Sequence, residues 1–137
     1  EGGLLGISGK SGDVRDLEQA AAEGASAAQL ALDTFVADIR KYLGWMLVEL
    51  GGTDMLVFTG GIGENSDAVR AAVCRDLSQL GIALDESKNR DARGEAEIGS
   101  DQSHAQIWVI PTNEEIVVAS QVFAALNERN THSQEAN

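Results

Sequence analysis

Met55-Leu56-Val57-Phe58-Thr59-Gly60-Gly61-Ile62-Gly63-Glu64-Asn65-Ser66 decides the architecture of this chain. The apolar run Met55–Phe58, bounded by Asp54 and Thr59, reads as a short buried strand, because an apolar run without alternation leaves no face for water. Glycines at 60, 61 and 63 then turn the chain. Ser66, or Asn65 before it, is placed to N-cap a helix that carries Val69, Val73, Leu77 and Leu80 on one side and ends at Gly81. A strand, a glycine turn and a helix in succession form the repeating unit of an α/β fold with parallel strands.

Upstream of that unit, Leu32, Phe35, Val36, Ile39, Leu43, Met46, Leu47 and Leu50 recur at spacings of three and four. This is the signature of a long amphipathic helix packing on a core, with Ser26 as its N-cap and Gly51-Gly52 as its stop. A shorter alanine-rich helix is expected from Asp16 to Glu23, closed by Gly24. Residues 2–12 contain five glycines and two serines around Leu4, Leu5 and Ile7, and read as a loop or as a strand end leading into one.

Downstream, Ile82-Ala83-Leu84 reads as a short edge strand and residues 85–104, polar and without period, as mostly loop. Ile107-Trp108-Val109-Ile110 is a second buried strand, stopped by Pro111. Thr112 with Glu115 three positions later makes a capping box, and Ile116, Ala119, Phe123 and Leu126 continue a helical stripe. Residues 128–137 read as a disordered tail. No internal repeat and no second domain emerges, so residues 1–127 are expected to form one unit.

With 137 residues, 43% of them hydrophobic, the chain is long enough to bury a sizeable core. Its 22 acidic and 10 basic residues leave a net charge of −12, which disfavours nucleic acid and anionic membranes as partners. The same field repels free polyphosphate. A nucleotide site here must therefore rest on local N–H groups, a few Arg or Lys side chains and a divalent cation. The single cysteine, Cys74, has no partner for an internal disulfide, and a reducing cytoplasm is expected. No apolar run reaches the roughly 18 residues of a membrane span. The sequence opens on Glu1-Gly2-Gly3 without a methionine or a signal peptide's pattern, and is expected to be a piece of a longer protein.

Three places could carry chemistry. At Gly60–Asn65 a strand hands over to a helix start, where free N–H groups favour an anion and glycine permits close approach; a tight turn needing positive φ would look the same. The segment lacks the Lys-Ser or Lys-Thr of a P-loop and the spacing of a dinucleotide fingerprint. Ser8-Gly9-Lys10-Ser11-Gly12-Asp13-Val14-Arg15 brings a cation and an anion together on a glycine-rich loop, suited to a sugar hydroxyl or phosphate, or simply to capping the next helix. Glu114 sits in the first turn of the last helix, where a carboxylate gains from the dipole. His104 and His132 have no partners at metal-ligand or nucleophile spacing and are assigned no chemistry.

Taken together, Leu4-Leu5-Gly6-Ile7-Ser8-Gly9 with Asp13-Val14-Arg15, Val57–Ser66, and Val109-Ile110-Pro111-Thr112-Asn113-Glu114-Glu115 resemble the acetate kinase family, within the sugar kinase, Hsp70 and actin group. The resemblance implies a partial ribonuclease-H-like (actin-like ATPase) domain and reversible, Mg²⁺- and ATP-dependent phosphorylation of acetate to acetyl phosphate. It places Asp13, Val14 and Arg15 along the nucleotide, with Val14, variable in the family, offering backbone or apolar contact. Gly61, Ile62, Gly63, Glu64 and Asn65 would cradle adenosine and phosphates, and Glu114 would hold the metal directly or through water. The family's acetate-binding and phosphate-clamping residues have no match in this chain. It is therefore expected to be inactive alone, to contain no catalytic residue of its own, to bind ATP or ADP, and to form a homodimer or pair with the missing half. A stand-alone ATP-binding module, an inert fragment, and part of a propionate or butyrate kinase are the alternatives.

Overall fold

A computed structural model of the chain describes residues 3–112. Six helices and three strands are described: α1 (Gly3–Ser8), α2 (Val14–Ala22), α3 (Ser26–Leu50), β1 (Met55–Phe58), α4 (Gly60–Asn65), α5 (Asp67–Cys74), α6 (Glu86–Asp91), β2 (Ala96–Glu97) and β3 (Gln106–Val109). The expected α/β architecture with parallel strands and flanking helices is present. The sheet runs β1-β3-β2, with β1 parallel to β3 in the register Met55 to Gln106 through Phe58 to Val109, and β2 antiparallel on the other side.

The long helix forms where its spacing predicts. Leu32, Phe35, Ile39 and Leu43 pack with Val14, Val36, Val69 and Val73, and Leu47 reaches a second cluster around Ile82, Ile98, Ile107 and Val109. Gly51 ends α3 in the left-handed region at φ 72°, and the Gly52 N–H donates back to Leu47 O at 2.9 Å, satisfying a carbonyl the helix leaves over. Two details of the expectation change. Ser26 is the first helical residue rather than the cap, because the turn at Gly24 delivers Ala25 to the cap position, where its carbonyl receives Ala28 N and Gln29 N. The apolar stripe also stops being wholly core toward the end of α3: Met46 and Leu50, on either side of Leu47, are 51% and 75% exposed.

At the N-terminal end, residues 3–8 are helix α1 where a loop or strand end is expected. Leu4 packs against the clusters of α2 and α3, so tertiary contact holds a segment whose glycine content disfavours helix. Gly9, at φ 61°, closes it by donating to Leu5 O at 2.9 Å. Helix α2 starts at Val14, two residues earlier than expected, because Asp13 is its cap. Its Leu17 and Ala20 are buried against Ala28 and Ala31 of α3.

Both strands form, yet β1 is not covered on both faces. Among the described strands it lies at the sheet edge, with Met55 and Val57 47% and 40% exposed while Leu56 and Phe58 face the core. On central β3, Ile107 and Val109 are buried. The ladder continues past the assigned strand through Ile110 N to Phe58 O at 2.9 Å.

Residues 75–105 depart most from expectation. Helix α5 ends at Cys74, Asp76 takes φ 61°, and a single 3-10 turn spans Ser78–Leu80 before Gly81 at φ 78°. Leu77 packs on the core, but Leu80 is exposed. The edge strand at Ile82–Leu84 reduces to one antiparallel bridge, Leu84 to Gly99. The expected loop contains α6 and β2. Helix α6 carries no apolar stripe to betray it; it is held by Asp85, whose carboxylate accepts from Ser87 N and Lys88 N, both at 2.9 Å, and by buried Asn89. The capping box at Glu115, the last helix, Glu114, His132 and the tail 128–137 lie outside the described residues.

Candidate functional site

Beyond β1 the expected turn is itself a six-residue helix, α4. Gly60 alone among its glycines has positive φ, 73°, where the chain swings out of the strand. Gly61 faces open space. Gly63 sits against β1: a Cβ there would lie 3.3 Å from the Phe58 carbonyl carbon. Asn65 Nδ2 donates to Gly61 O at 2.8 Å, bracing the helix internally. The chain then breaks at Ser66, whose hydroxyl accepts from Val69 N at 3.0 Å to cap α5 and donates to Glu18 of α2. That bond draws α2 and the α4–α5 junction together.

The second wall is the Ser8–Arg15 segment. Ser8 Oγ donates to Ser11 O and accepts from Lys10 N and Ser11 N, while Ser11 Oγ donates to Asp16 at 2.7 Å and accepts from Asp13 N at 3.0 Å. Asp13 then accepts from Arg15 three times, from its backbone N at 2.9 Å, Nε at 3.2 Å and Nη2 at 2.7 Å. The Arg15 guanidinium and amide hold the Asp13 carboxyl down to about 2, and the same pairing raises the Arg15 pKa. Cap and ion pair are thus one device. Val14, 3% exposed, anchors the segment in the core.

Between these walls lies a cavity of about 670 Å³, lined by Gly12, Asp13, Val14 and Arg15 on one side and Gly61, Ile62, Asn65 and Ser66 on the other. The structure therefore brings together Asp13, Val14, Arg15, Gly61, Ile62 and Asn65 from among the expected nucleotide residues. Among the described residues, Arg15 is the one cation in the lining. Gly63 and Glu64 do not line it. Gly63 is turned to Phe58, and the Glu64 carboxylate accepts from Thr112 N at 2.9 Å and Thr112 Oγ1 at 3.0 Å, contacts that hold its pKa below the usual range. Glu64 so ties α4 to the residue two positions before Glu114.

The sequence profile of the acetokinase family matches residues 1–120. This chain belongs to the acetokinase family. It is similar to the acetate kinase of Acholeplasma laidlawii, 52% identical over 126 residues that cover 92% of this chain and 32% of that protein. It is also similar to the propionate kinase of Yersinia enterocolitica, 50% identical over 128 residues covering 93% and 31%. The crystal structure of Porphyromonas gingivalis acetate kinase superposes with a TM-score of 0.83 at 41% identity, over 90% of this chain and 31% of that one. The chain spans about a third of the length of these relatives, and its α/β fold is the matching portion of the actin-like ATPase fold.

Among the described residues no cluster of three His, Cys, Asp or Glu side chains gathers, and Glu114 lies beyond them. No described helix is long and apolar enough to cross a membrane. Acetate and propionate kinases match this chain at nearly equal identity, so the shared residues do not separate acyl substrates. No sequence motif marks Arg70 or Asn89, both buried where α5 meets α6. The one available signal for Arg70 was its place beside Val69 and one turn before Cys74, on the buried face of α5.

Proposed function

We propose that residues 1–127 are the nucleotide-binding part of an acetate kinase, which phosphorylates acetate to acetyl phosphate reversibly with ATP and Mg²⁺. The observation that carries this is the cavity between Gly12–Arg15 and α4, whose volume of about 670 Å³ suits a nucleotide. Its lining fits a nucleotide chemically: Gly61 leaves open space for close approach, Arg15 offers a charge-assisted donor, and Asn65 and Ser66 offer polar edges. In this reading Asp13, Val14 and Arg15 lie along ATP or ADP, and Gly61, Ile62 and Asn65 form the cradle. Gly63 and Glu64 support that cradle, one by closing α4 on β1 and the other by tying it to Thr112. Glu114 holds the metal. ATP and Mg²⁺ supply the transferable phosphoryl group and the neutralising charge; the chain's part is to position them in a protein whose net charge is −12.

Phosphoryl transfer requires groups on both sides of the transferred phosphoryl, and acetate binds through the part of the family that this chain does not cover. No residue here is therefore assigned a catalytic role. The edge that β1 forms among the described strands and the exposed Met55 and Val57 suit pairing with that part or with a second copy. The lone cysteine fits a reducing cytoplasm. The match to a propionate kinase favours one second reading, the same site in a kinase for the longer acid.

The test is calorimetric titration of MgATP into the chain, with a coupled assay for acetate-dependent ATP consumption, run on the chain and on the complete kinase containing it. Binding without turnover by the chain, and turnover by the complete kinase, is expected. Turnover by the pure chain at ~1 s⁻¹ or more would defeat the proposal. The ratio of kcat/KM for acetate and propionate in the complete kinase assigns the acid.

A further inference from the structure

A six-residue helix containing three glycines has little helical stability of its own, since glycine is the poorest helix former after proline and the segment is too short to propagate. Helix α4 nevertheless holds three lining residues of the nucleotide cavity in place. Something outside it must fix its shape. Arg70, on α5, is 2% exposed and lies directly beneath. Its Nη1 donates to Gly63 O at 2.9 Å and Glu64 O at 3.0 Å, two carbonyls of the last turn of α4 that have no partner within that helix. Its Nε donates to Asn89 Oδ1 at 2.7 Å and its Nη2 to Asn89 O at 2.9 Å, and Asn89 in turn donates to Asp67 O at 2.9 Å.

Among the described residues no carboxylate lies within ion-pair distance of this guanidinium. A buried cation is costly unless its partners are good, and here every partner is a neutral oxygen. Four oxygens from two elements converge on the planar fork, a geometry that lysine's point charge cannot reproduce. The positive charge also faces the C-terminal end of α4, where the helix favours it.

We infer that Arg70, oriented by Asn89, is a positioning residue for the nucleotide site: it clamps the Gly63 and Glu64 carbonyls and so sets where Gly61, Ile62 and Asn65 stand in the cavity. The inference rests on the reading of that cavity as the nucleotide site. Arg70 touches no nucleotide itself; it transmits the position of α5 and α6 to the cradle.

The experiment uses the complete kinase with three variants, Arg70→Lys, Asn89→Ala and Gly61→Leu, each measured for thermal midpoint and for the KM of ATP and of the acyl substrate. Gly61→Leu probes the cavity directly, since its side chain enters open space next to the lining. Arg70→Lys is expected to raise the KM for ATP roughly tenfold or more with the acyl KM unmoved, and Asn89→Ala to raise it less, in the same direction. A role confined to stability would lower the thermal midpoint and leave the KM values of the folded enzyme as they were. If Gly61→Leu weakens ATP while both Arg70→Lys and Asn89→Ala leave its KM unchanged, the inference is overturned. Should Arg70→Lys fail to fold, Asn89→Ala decides alone by the same criterion. If Gly61→Leu also leaves ATP binding intact, the cavity is not the nucleotide site, and the functional reading fails with it.

Discussion

Gly60, Gly61 and Gly63 lie within four positions, yet alanine at each should do something different. At Gly60 the cost is conformational: no atom lies within 4 Å of where an added methyl would stand, but φ is 73°. An L-residue in the left-handed region loses about 1–2 kcal/mol, partly offset by the stiffer unfolded chain, about 0.4–1 kcal/mol, for a net loss near ~1 kcal/mol. At Gly61 the backbone is helical and the surroundings are open, so Gly61→Ala should gain about 0.5–1 kcal/mol from helix propensity alone. At Gly63 the same gain meets a contact of 3.3 Å with the Phe58 backbone, which the ladder to β3 holds in place. Overpacking of about 1–3 kcal/mol then outweighs propensity and leaves a net loss of about 1 kcal/mol. Equilibrium urea unfolding of the three variants should rank Gly61→Ala above the parent and the other two below it. Nucleotide affinity should nevertheless fall in Gly61→Ala, because its methyl enters the cavity lining. Three equal losses of stability would refute the reasoning, since they would mean that all three positions serve only as a turn.

Arg15→Ala should weaken nucleotide binding in the complete kinase about tenfold, with Arg15→Lys in between; titration calorimetry giving unchanged affinity and only lower stability would return Arg15 to the role of a loop brace. Asp13 is depressed from 3.8 to about 2 in the folded chain, so its contribution to the start of α2 is fully present above pH 4 and is lost as the pH falls toward 2; an NMR titration placing its carboxyl near 4 would contradict the three hydrogen bonds it accepts from Arg15. Arg40 Nη1 donates to Ala72 O at 3.2 Å, Val73 O at 2.7 Å and Arg75 O at 2.6 Å, closing the end of α5. Arg40→Met should therefore cost about 1–3 kcal/mol in urea unfolding, and an unchanged midpoint would show that water serves those carbonyls equally well.

Local signals in the sequence determined α3 and its stop at Gly51, β1 and β3, the Ser66 cap and the α/β class, because helix period, apolar runs and caps act over a few residues and are written side by side. The three motifs also determined the family, and with it most of the lining of the cavity. Tertiary structure decided the rest. Residues 3–8 are helical because Leu4 finds α2 and α3, and α6 exists because Asp85 caps it and Asn89 is buried under α5, neither of which leaves a periodic trace. Positive φ fell to Gly60 rather than to Gly61 or Gly63 because the chain changes direction where it leaves β1, and Gly63 must instead admit the Phe58 backbone. Glu64 faces Thr112 rather than the cavity, and Arg70 carries α4, through partners 48 and 19 residues away along the chain or across a helix break. Contacts at such separations depend on where whole elements come to rest against one another, which no local pattern of residues encodes.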